Sequence, residues 1–171
     1  MPPVRLLLAG AVAALAVTTA AAPPAAASAQ QAALAASPVC VDTTNSRADN
    51  TQIRLWKCLD HPNQRFVVDD GHIKVEDTIG TSREVCLDAT NSRANNTLVR
   101  LWQCLDHPNQ VWVVSRGQII VKDTLASTPV CLDTGNTRND NDKVRLWQCL
   151  NHPNQKFVVD DGQIKVKDTL S

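Results

Sequence analysis

The sequence of 171 residues is poor in aromatic side chains and carries no excess of charge of either sign. It has four tryptophans, two phenylalanines and no tyrosine, and its 17 basic side chains are balanced by 17 acidic ones. A chain without a basic excess or a basic cluster lacks the electrostatic footprint of proteins that bind nucleic acid or anionic membranes. The composition therefore predicts neither nucleic acid nor a membrane surface as a partner.

Long hydrophobic runs are also missing, apart from one short run near the N terminus. Residues 6–17 are apolar, follow Arg5, and precede the small residues Ala27-Ser28-Ala29. Such a run is too short to span a bilayer, which takes about 20 residues, but it is typical of a secretory signal peptide. We predict a signal peptide over residues 1–29, an Ala-rich leader over residues 30–38, no membrane insertion, and a secreted, extracellular protein.

The sequence contains no CxxC pair and no histidine at ligand spacing from a cysteine, so a zinc site is not predicted. It also lacks the regular acidic ladder of an EF-hand calcium loop, and no residue set calls for a cofactor. An even number of cysteines in an exported chain predicts disulfides instead. The six cysteines form three pairs, each 18 residues apart: Cys40 and Cys58, Cys86 and Cys104, Cys131 and Cys149.

The chain repeats one segment three times, over residues 40–80 (copy one), 86–126 (copy two) and 131–171 (copy three). The copies align without a gap, and 21 of the 41 columns hold the same residue in all three. A fixed period of 20–50 residues indicates a repeat architecture. Because the repeat favours a disulfide pattern that treats every copy alike, we predict that each cysteine pair closes within its own copy.

Alternation of apolar and polar residues predicts short strands in each copy. In copy one, residues 39–41 and 53–58 flank the turn-forming segment 45–51, and a fold at its midpoint, Asp49, brings Cys40 opposite Cys58. A second hairpin is predicted from residues 65–68 and 73–75, joined by a turn at residues 69–71. Three copies of two hairpins predict an all-β chain of about twelve strands, which is too few for a propeller of four or more four-stranded blades. A β-trefoil, in which three four-stranded repeats close with pseudo-threefold symmetry, fits this count.

Three motifs recur in each copy at the same spacing. In copy two they read Cys86-Leu87-Asp88, Leu101-Trp102-Gln103-Cys104 and Asn109-Gln110-Val111-Trp112. In these motifs the chain resembles the ricin B-type lectin domain, a β-trefoil whose copies carry Gln-x-Trp, and we place that domain over residues 39–171. Copies one and three have Gln-x-Phe instead. Because this aromatic is a core residue in the family, phenylalanine should preserve the fold.

The resemblance implies one sugar site in each copy. The matching Asp accepts hydrogen bonds from two sugar hydroxyls, the matching Trp stacks on the apolar face of the ring, the matching Asn bonds a hydroxyl, and the Gln after it supports the Asp. A carboxylate suits this role because charge-assisted hydrogen bonds are the stronger ones. With the Arg two positions before each Trp, the predicted sugar-binding residues are Asp42, Arg54, Trp56, Asn63 and Gln64; Asp88, Arg100, Trp102, Asn109 and Gln110; Asp133, Arg145, Trp147, Asn154 and Gln155.

Each of these residues also has a structural alternative. The Asp can merely tie down the first hairpin, the Gln can be structural, and the Trp can belong to the core. Leu55 and Trp56 are neighbours in a predicted strand, so their side chains point to opposite faces. If Leu55 faces the core, Trp56 faces outward, and an outward Trp in every copy favours a ligand over packing.

Two features depart from the family pattern. Arg54, Arg100 and Arg145 stand where the family usually has Gln or a similar polar residue. Each Arg can pair with the Asp and weaken the binding of neutral sugars, bond sugar hydroxyls, or bind the carboxylate of an acidic sugar. A His-Pro pair precedes each Asn, at His61, His107 and His152. With one His per copy spread around a trefoil, a rigid loop is favoured over a metal site.

No copy-specific Ser/His/Asp set and no pair of acids breaks the symmetry, so the sequence does not predict an enzyme. We expect a carbohydrate-binding lectin with up to three sites, most readily for galactose-type or xylan-type glycans. Single shallow sites of this kind often bind near 1 mM, or about −4 kcal/mol, and gain avidity on multivalent glycans. The alternatives are a trefoil that binds protein, such as a protease inhibitor, and the glycan-targeting subunit of a separate toxin or glycoside hydrolase chain.

Overall fold

The structure, a computed structural model, describes residues 37–170. The predicted signal peptide and residues 30–36 of the predicted leader lie outside the described residues. The described part of the chain forms twelve β-strands of four residues each. The strands are β1 (Val39–Asp42), β2 (Arg54–Lys57), β3 (Phe66–Asp69), β4 (His72–Val75), β5 (Val85–Asp88), β6 (Arg100–Gln103), β7 (Trp112–Ser115), β8 (Gln118–Val121), β9 (Val130–Asp133), β10 (Arg145–Gln148), β11 (Phe157–Asp160) and β12 (Gln163–Val166).

The strands pair into three antiparallel sheets of four, in the orders β3-β4-β5-β6, β7-β8-β9-β10 and β11-β12-β1-β2. Each sheet therefore joins the second hairpin of one copy to the first hairpin of the next. The third sheet joins copy three to copy one through the pairing of Lys165 with Cys40. The sheets close into a threefold barrel, and the predicted all-β trefoil is confirmed.

A ring of backbone hydrogen bonds joins the three copies where β2, β6 and β10 begin. The amide of Ile53 donates to the carbonyl of Val99 (3.2 Å), Val99 donates to Val144 (3.1 Å), and Val144 donates back to Ile53 (3.4 Å). Isolated bridges at Gln52 to Arg100, Leu98 to Arg145 and Arg54 to Lys143 extend this contact. Each copy thus satisfies backbone groups of its neighbours, which a buried backbone requires.

The core is formed by the same columns of every copy. On β2, β6 and β10 the inward residue is a leucine with no solvent exposure, and on β4, β8 and β12 the inward residues are an isoleucine and a valine. The aromatic of each Gln-x-Trp or Gln-x-Phe motif is also buried, with Phe66, Trp112 and Phe157 no more than 3% exposed. This explains why phenylalanine can replace tryptophan, although only Trp112 adds a hydrogen bond, from Nε1 to the carbonyl of Leu87 (3.1 Å).

The predicted disulfides are confirmed: Cys40–Cys58, Cys86–Cys104 and Cys131–Cys149 each close within one copy, with Cα atoms 5.0 Å apart. The predicted hairpin register is wrong by two residues. Cys40 pairs with Trp56 across the hairpin, and Cys58 lies just after β2, where its amide donates to the carbonyl of Pro38. The disulfide therefore links diagonal positions and fastens the open end of the hairpin.

Short 3₁₀ turns, which the sequence did not predict, follow the first and second hairpins of each copy. They span Pro62–Gln64, Glu76–Thr78, Pro108–Gln110, Lys122–Thr124, Pro153–Gln155 and Lys167–Thr169. Proline fits the first position of such a turn, where an amide would have no partner within the turn. Over residues 37–170, no helix is long and apolar enough to cross a membrane.

Candidate functional site

The residues predicted to bind sugar begin with an Asp and an Arg that face each other across the first hairpin. Asp42 closes β1 and Arg54 opens β2, and the two are Cα partners in the ladder. The Arg54 Nε donates to the Asp42 Oδ1 at 2.9 Å. The same pairing recurs between Arg100 and Asp88 (3.0 Å) and between Arg145 and Asp133 (3.2 Å). Of the three roles open to the Arg, the structure shows the ion pair with the Asp.

The Asp is buried, and its oxygens accept hydrogen bonds from three groups of its own copy. In copy one Asp42 is 3% exposed. Its Oδ1 also accepts from the amide of Thr44 (2.8 Å), and its Oδ2 accepts from the Gln64 Nε2 (3.2 Å). This arrangement leaves little surface of the carboxylate for a sugar hydroxyl. The Asp ties down the hairpin and holds the Arg, and its contact with a sugar stays a prediction.

The Arg lies over the ring of the Trp. The guanidinium carbon is 4.2 Å from the ring centroid between Arg54 and Trp56, 4.2 Å in copy two and 5.0 Å in copy three. A guanidinium within about 6 Å of a ring centroid makes a favourable cation–π contact. The Trp does face outward, opposite the buried Leu55, but it is half-buried because the Arg covers part of its ring.

An Asn from the neighbouring copy completes each site, which sequence reasoning missed. The Arg54 Nη1 donates to the Oδ1 of Asn141, in copy three, at 2.5 Å. By the same rotation Arg100 donates to Asn50 of copy one, and Arg145 donates to Asn96 of copy two at 3.0 Å. The sequence signal for these residues is that the column holds Asn in all three copies. In the structure these Asn residues have a positive φ, of 66° to 73°.

The Asn of the motif is buried and held by two neighbours. The Asn63 Nδ2 donates to the Asn45 Oδ1 (2.7 Å), and its Oδ1 accepts from the Arg47 Nη2 (3.2 Å). Arg47 in turn makes a bidentate pair with Asp77, at 2.9 and 2.7 Å. Asn109 and Asn154 are held in the same way in the other copies.

The Gln after this Asn has no solvent exposure and bridges two elements. The Gln64 Nε2 donates to Asp42 and to the carbonyl of Lys57 (3.0 Å), and its Oε1 accepts from the amide of Leu59 (2.7 Å). Gln110 and Gln155 repeat these contacts. The contact between Gln and Asp that the family resemblance implied is present, and the Gln also fixes the chain just after the second cysteine.

Each His of the repeated His-Pro pair caps a 3₁₀ turn. The Nδ1 of His61 accepts from the amide of Asn63 at 3.2 Å, with matching bonds at His107 and His152. Because Nδ1 is the acceptor, the neutral ring carries its proton on Nε2 and presents a donor to solvent. No cluster of three metal-ligating side chains occurs within residues 37–170.

Copy three differs from the others at one backbone position of the site. Thr44 and Thr90 have φ of 63° and 60°, a conformation unfavourable for a β-branched residue. Copy three has Gly135 there, with φ of 70°. A Cβ on Gly135 would lie 3.4 Å from the Arg145 Nη2, so the missing side chain leaves room beside the Arg. The longer Arg-to-Asp and Arg-to-Trp distances of copy three fit this looser packing.

A pocket of about 230 Å³ opens at the copy-three site. It is lined by Asp133, Asn136, Arg145, Trp147, Leu150, His152 and Asn154. Four of the five site residues predicted for copy three line it, while Gln155 lies buried beneath. Leu150, Asn136 and His152 were not among the predicted binding residues. The pocket thus combines a half-buried Trp, an exposed Leu and several hydrogen-bonding groups.

Comparisons with known proteins agree with this architecture. A family profile described as the ricin-type beta-trefoil lectin domain matches residues 30–157. ThreeFoil, a designed threefold symmetric protein, is 18% identical with a TM-score of 0.53, over 76% of this chain and 96% of its own. The C-half of an earthworm R-type lectin, solved in complex with GalNAc, is 20% identical with a TM-score of 0.54, over 73% of this chain and 88% of its own.

A search of curated proteins finds no significant match. At these identities the two solved structures show a shared fold, whereas the family profile matches well over half of the chain. The profile, the threefold repeat of its motifs and the trefoil agree with one another. The chain therefore belongs to the ricin-type β-trefoil lectin domain family.

Proposed function

We propose that the protein is a secreted lectin that binds carbohydrate at up to three sites, one in each copy. The observation that carries the proposal is the copy-three pocket, where an outward Trp lies beside an apolar Leu and several hydrogen-bonding groups. Pyranose rings present an apolar C–H face that packs on an aromatic ring, and their hydroxyls need fixed donors and acceptors. Membership of a lectin-domain family supports the same function.

In this proposal the Arg is the main hydrogen-bond donor to the sugar. Arg145 is held by Asp133 and Asn96, which accept from its Nε and Nη1, so its position is fixed before a ligand arrives. Its Nη2 faces the space left by Gly135. The buried Asp is then a positioning residue that holds the Arg. In this proposal the Arg contacts the sugar hydroxyl, whereas the family resemblance implies that the Asp does so.

Copy three is the best-formed of the three proposed sites. Stacking of a sugar on the Trp requires the guanidinium to share or leave the ring face. The guanidinium carbon already lies 5.0 Å from the ring centroid of Trp147, against 4.2 Å in copies one and two. We therefore expect the affinity of copy three to exceed that of the other copies. Galactose-type sugars come first as candidates, since the earthworm lectin was solved with GalNAc, and xylan-type glycans come second.

The test is a titration of the protein with galactose, xylose oligomers and uronic acids, followed by NMR and tryptophan fluorescence. Trp56→Ala, Trp102→Ala and Trp147→Ala are titrated in parallel. We expect saturable binding, with the largest loss in Trp147→Ala and smaller losses in the other two variants. An absence of binding to every sugar, with all three variants folded, would overturn the proposal.

A second candidate function is a protein-binding trefoil. The observation in its favour is that in copies one and two the Arg covers the Trp ring at 4.2 Å, so part of the surface for sugar stacking is occupied. The loops that a protease inhibitor would make distinctive are, however, the most similar parts of the three copies. Association with a separate toxin or glycoside hydrolase chain would make the trefoil its glycan-targeting subunit, and co-purification from the native source tests for such a chain.

A further inference from the structure

The three copies differ most in charge where each hairpin turn lies against the following copy. The turns after β3, β7 and β11 make the same contact with the next copy. In each turn the glycine carbonyl accepts a hydrogen bond, at 2.7 Å, from the backbone amide of the next copy's core aromatic: Gly71 from Trp112, Gly117 from Phe157, and Gly162 from Phe66. We call these contacts the three turn junctions. Because the backbone is the same at all three junctions, differences between their side chains stand out against a symmetric background.

Four columns of the repeat meet at each turn junction. One column, the turn residue before the glycine, comes from the first of the two copies. The other three come from the following copy: the residue after its buried Gln, the second residue after its second cysteine, and the first residue of its second 3₁₀ turn. Between copies three and one these residues are Asp161, Arg65, Asp60 and Glu76; between copies one and two they are Asp70, Val111, Asp106 and Lys122; between copies two and three they are Arg116, Lys156, Asn151 and Lys167.

The junction between copies three and one is an internally paired acidic cluster. Arg65 contacts both Asp60, at 2.5 Å, and Asp161, at 3.3 Å. The hydrogen bond from Arg65 holds the pKa of Asp60 below its ordinary value, and the two acids raise the pKa of Arg65. With one cation among three acids, this junction has an excess of negative charge and repels an anion.

The junction between copies two and three has the opposite charge. It carries three cations and no acid in the four columns, because Asn151 and Arg116 each stand where the other junctions have Asp. Among residues 37–170, Arg116, Lys156 and Lys167 form no salt bridge with a carboxylate. The Lys156 Nζ donates only to the backbone carbonyl of Arg116, at 3.2 Å. At the junction between copies three and one, by contrast, Arg65 is paired with Asp60 and Asp161.

These cations surround a pocket of about 380 Å³, lined by Arg116, Asn151, Pro153, Lys156, Lys167 and Asp168. The one acid there, Asp168, makes a bidentate pair with Arg138, at 3.0 and 2.8 Å, so its charge is already compensated. An open pocket with three uncompensated cations attracts an anion, and Arg is suited to the planar or forked geometry of carboxylate and sulfate oxygens.

The basic pocket and the copy-three sugar pocket lie on the two sides of one segment. Leu150, His152 and Asn154 line the sugar pocket, whereas Asn151 and Pro153 line the basic pocket. The side chains of residues 150–154 alternate between the two pockets. An oligosaccharide with one ring in the sugar pocket can therefore cross this exposed segment and place a charged neighbour among the three cations.

We infer that this basic pocket binds an anionic group, a sulfate ester or a carboxylate, on a glycan whose adjoining sugar occupies the copy-three site. The inference rests on the proposed lectin function, which supplies the glycan, and on the charges at the turn junctions, which indicate that its charged group is an anion. It assigns the recognition of the acidic group to Arg116, Lys156 and Lys167, while Arg145, which is already paired with Asp133, donates to the adjoining sugar. The pocket lies between copies two and three and adjoins the sugar site of copy three, so the preference for charge is expected at that site.

The test compares three oligosaccharides of equal length: a neutral galactan, a sulfated galactan and an oligogalacturonate. Isothermal titration at low salt is expected to show about tenfold tighter binding of a charged oligosaccharide, since several exposed ion pairs each add a modest gain. The gain should fall as salt is raised. The sulfated and carboxylated probes separate the two possible sources of the anion.

The variant for this test takes its residues from the other copies, which keeps the fold. Arg116→Asp with Lys156→Val installs the side chains found at Asp70 and Val111, and the turn keeps its left-handed backbone, with φ of 51° at Arg116 and 45° at Asp70. We expect charged oligosaccharides to bind this variant as weakly as the neutral one, with neutral binding unchanged. The matched control, Lys122→Gln, removes the lysine of the same column at the neighbouring junction and should change nothing.

Inorganic sulfate separates this inference from the lectin function. Sulfate should shift the amide resonances of Gly117, Lys156 and Lys167 in the parent protein and leave them in place in the double variant. If sulfate shifts these resonances while no oligosaccharide binds, the lectin function fails and the anion pocket stands. If charged and neutral oligosaccharides bind equally, or if Lys122→Gln weakens binding as much as the double variant, the inference is overturned.

Discussion

The guanidinium of Arg54 contacts Trp56 and Asp42 at once, lying 4.2 Å from the centroid of the indole and donating to the carboxylate at 2.9 Å. A third partner, Asn141, comes from another copy. The residues proposed to meet a sugar are therefore joined to one another before any ligand is present. The predictions below separate what this assembly contributes to stability from what it contributes to binding.

Removal of the Arg should destabilise the protein. In Arg54→Ala the carboxylate of the buried Asp42 keeps its bonds from Thr44 and Gln64 but loses its cation. Breaking a largely buried ion pair costs about 2–4 kcal/mol, because one charge is left without a partner. Denaturant unfolding measures the loss, with Lys57→Ala on the same strand as control. A free energy of unfolding within about 0.5 kcal/mol of the parent would show that the pair is dispensable.

Exchanging Gly135 and Thr44 should weaken sugar binding in copy three and strengthen it in copy one. Gly135→Thr places a Cβ about 3.4 Å from the Arg145 Nη2 and should weaken copy-three binding about tenfold, or about 1.4 kcal/mol. The left-handed backbone adds a stability cost of about 1 kcal/mol. Thr44→Gly should conversely open the copy-one site. Sugar titration followed by NMR reports each copy separately.

The control for this exchange is Gly80→Thr. Gly80 has a similar φ of 77°, but no atom lies within 4 Å of a Cβ built there. It should cost similar stability and leave sugar binding intact. Equal effects of the two substitutions on binding would show that strain, and not the space beside the Arg, controls the copy-three pocket.

Asn141 should act on the site of a different copy from its own. Asn141→Gly removes the amide but permits the φ of 73°, so the change isolates the hydrogen bond to Arg54. We expect a loss of about 1 kcal/mol in stability and resonance shifts at Trp56 in copy one, with Trp102 in copy two unaffected. In the Arg54→Ala background the same substitution should cost less, since the partner is gone. Additive losses in this double-mutant cycle would contradict the contact.

The link between copies one and two should give stability that depends on pH. The amide of Gly80 donates to Glu84, and Lys74 lies 3.3 Å from its carboxylate; both lower the pKa of Glu84 from 4.5. A lowered folded-state pKa means that the contribution is present above the unfolded pKa and is lost as the pH falls through the folded one. The parent should therefore be more stable than Glu84→Gln at pH 7, and urea unfolding should show this difference vanish in strong acid. A difference that is unchanged by acid would exclude the linkage.

Sequence reasoning predicted the strands and disulfides correctly but not the register of the hairpin. The alternation around Leu55 and Trp56 correctly placed one side chain in the core and the other outside, and the repeat correctly paired the cysteines. The hairpin register was wrong by two residues, because the cysteines were assumed to lie opposite each other whereas the disulfide is diagonal. The pattern of one strand contains no information on which diagonal a disulfide takes.

The sequence predicted the site residues that lie within one copy, but not the contacts that residues of different copies make with one another. Several roles were open for Arg54, since a side chain two residues before a Trp can reach an Asp, a solvent-facing ligand, or both. Asn141 was visible as an identical column, yet Asn is common in turns for local reasons, so its role stayed hidden. Its contact with Arg54 spans 87 residues and depends on how the barrel closes. The basic pocket likewise emerges only when the columns of two copies are brought together.

The ring of hydrogen bonds through Ile53, Val99 and Val144 has no first or last member. Each copy donates a backbone hydrogen bond to one neighbour and accepts one from the other, so a single copy expressed alone leaves these backbone groups without partners. Three separate copies of one sequence could satisfy the same ring as a homotrimer. A gene rearranged to begin at copy two would likewise encode the same set of contacts. The architecture thus does not depend on which copy is translated first, as expected for a fold assembled from one duplicated unit.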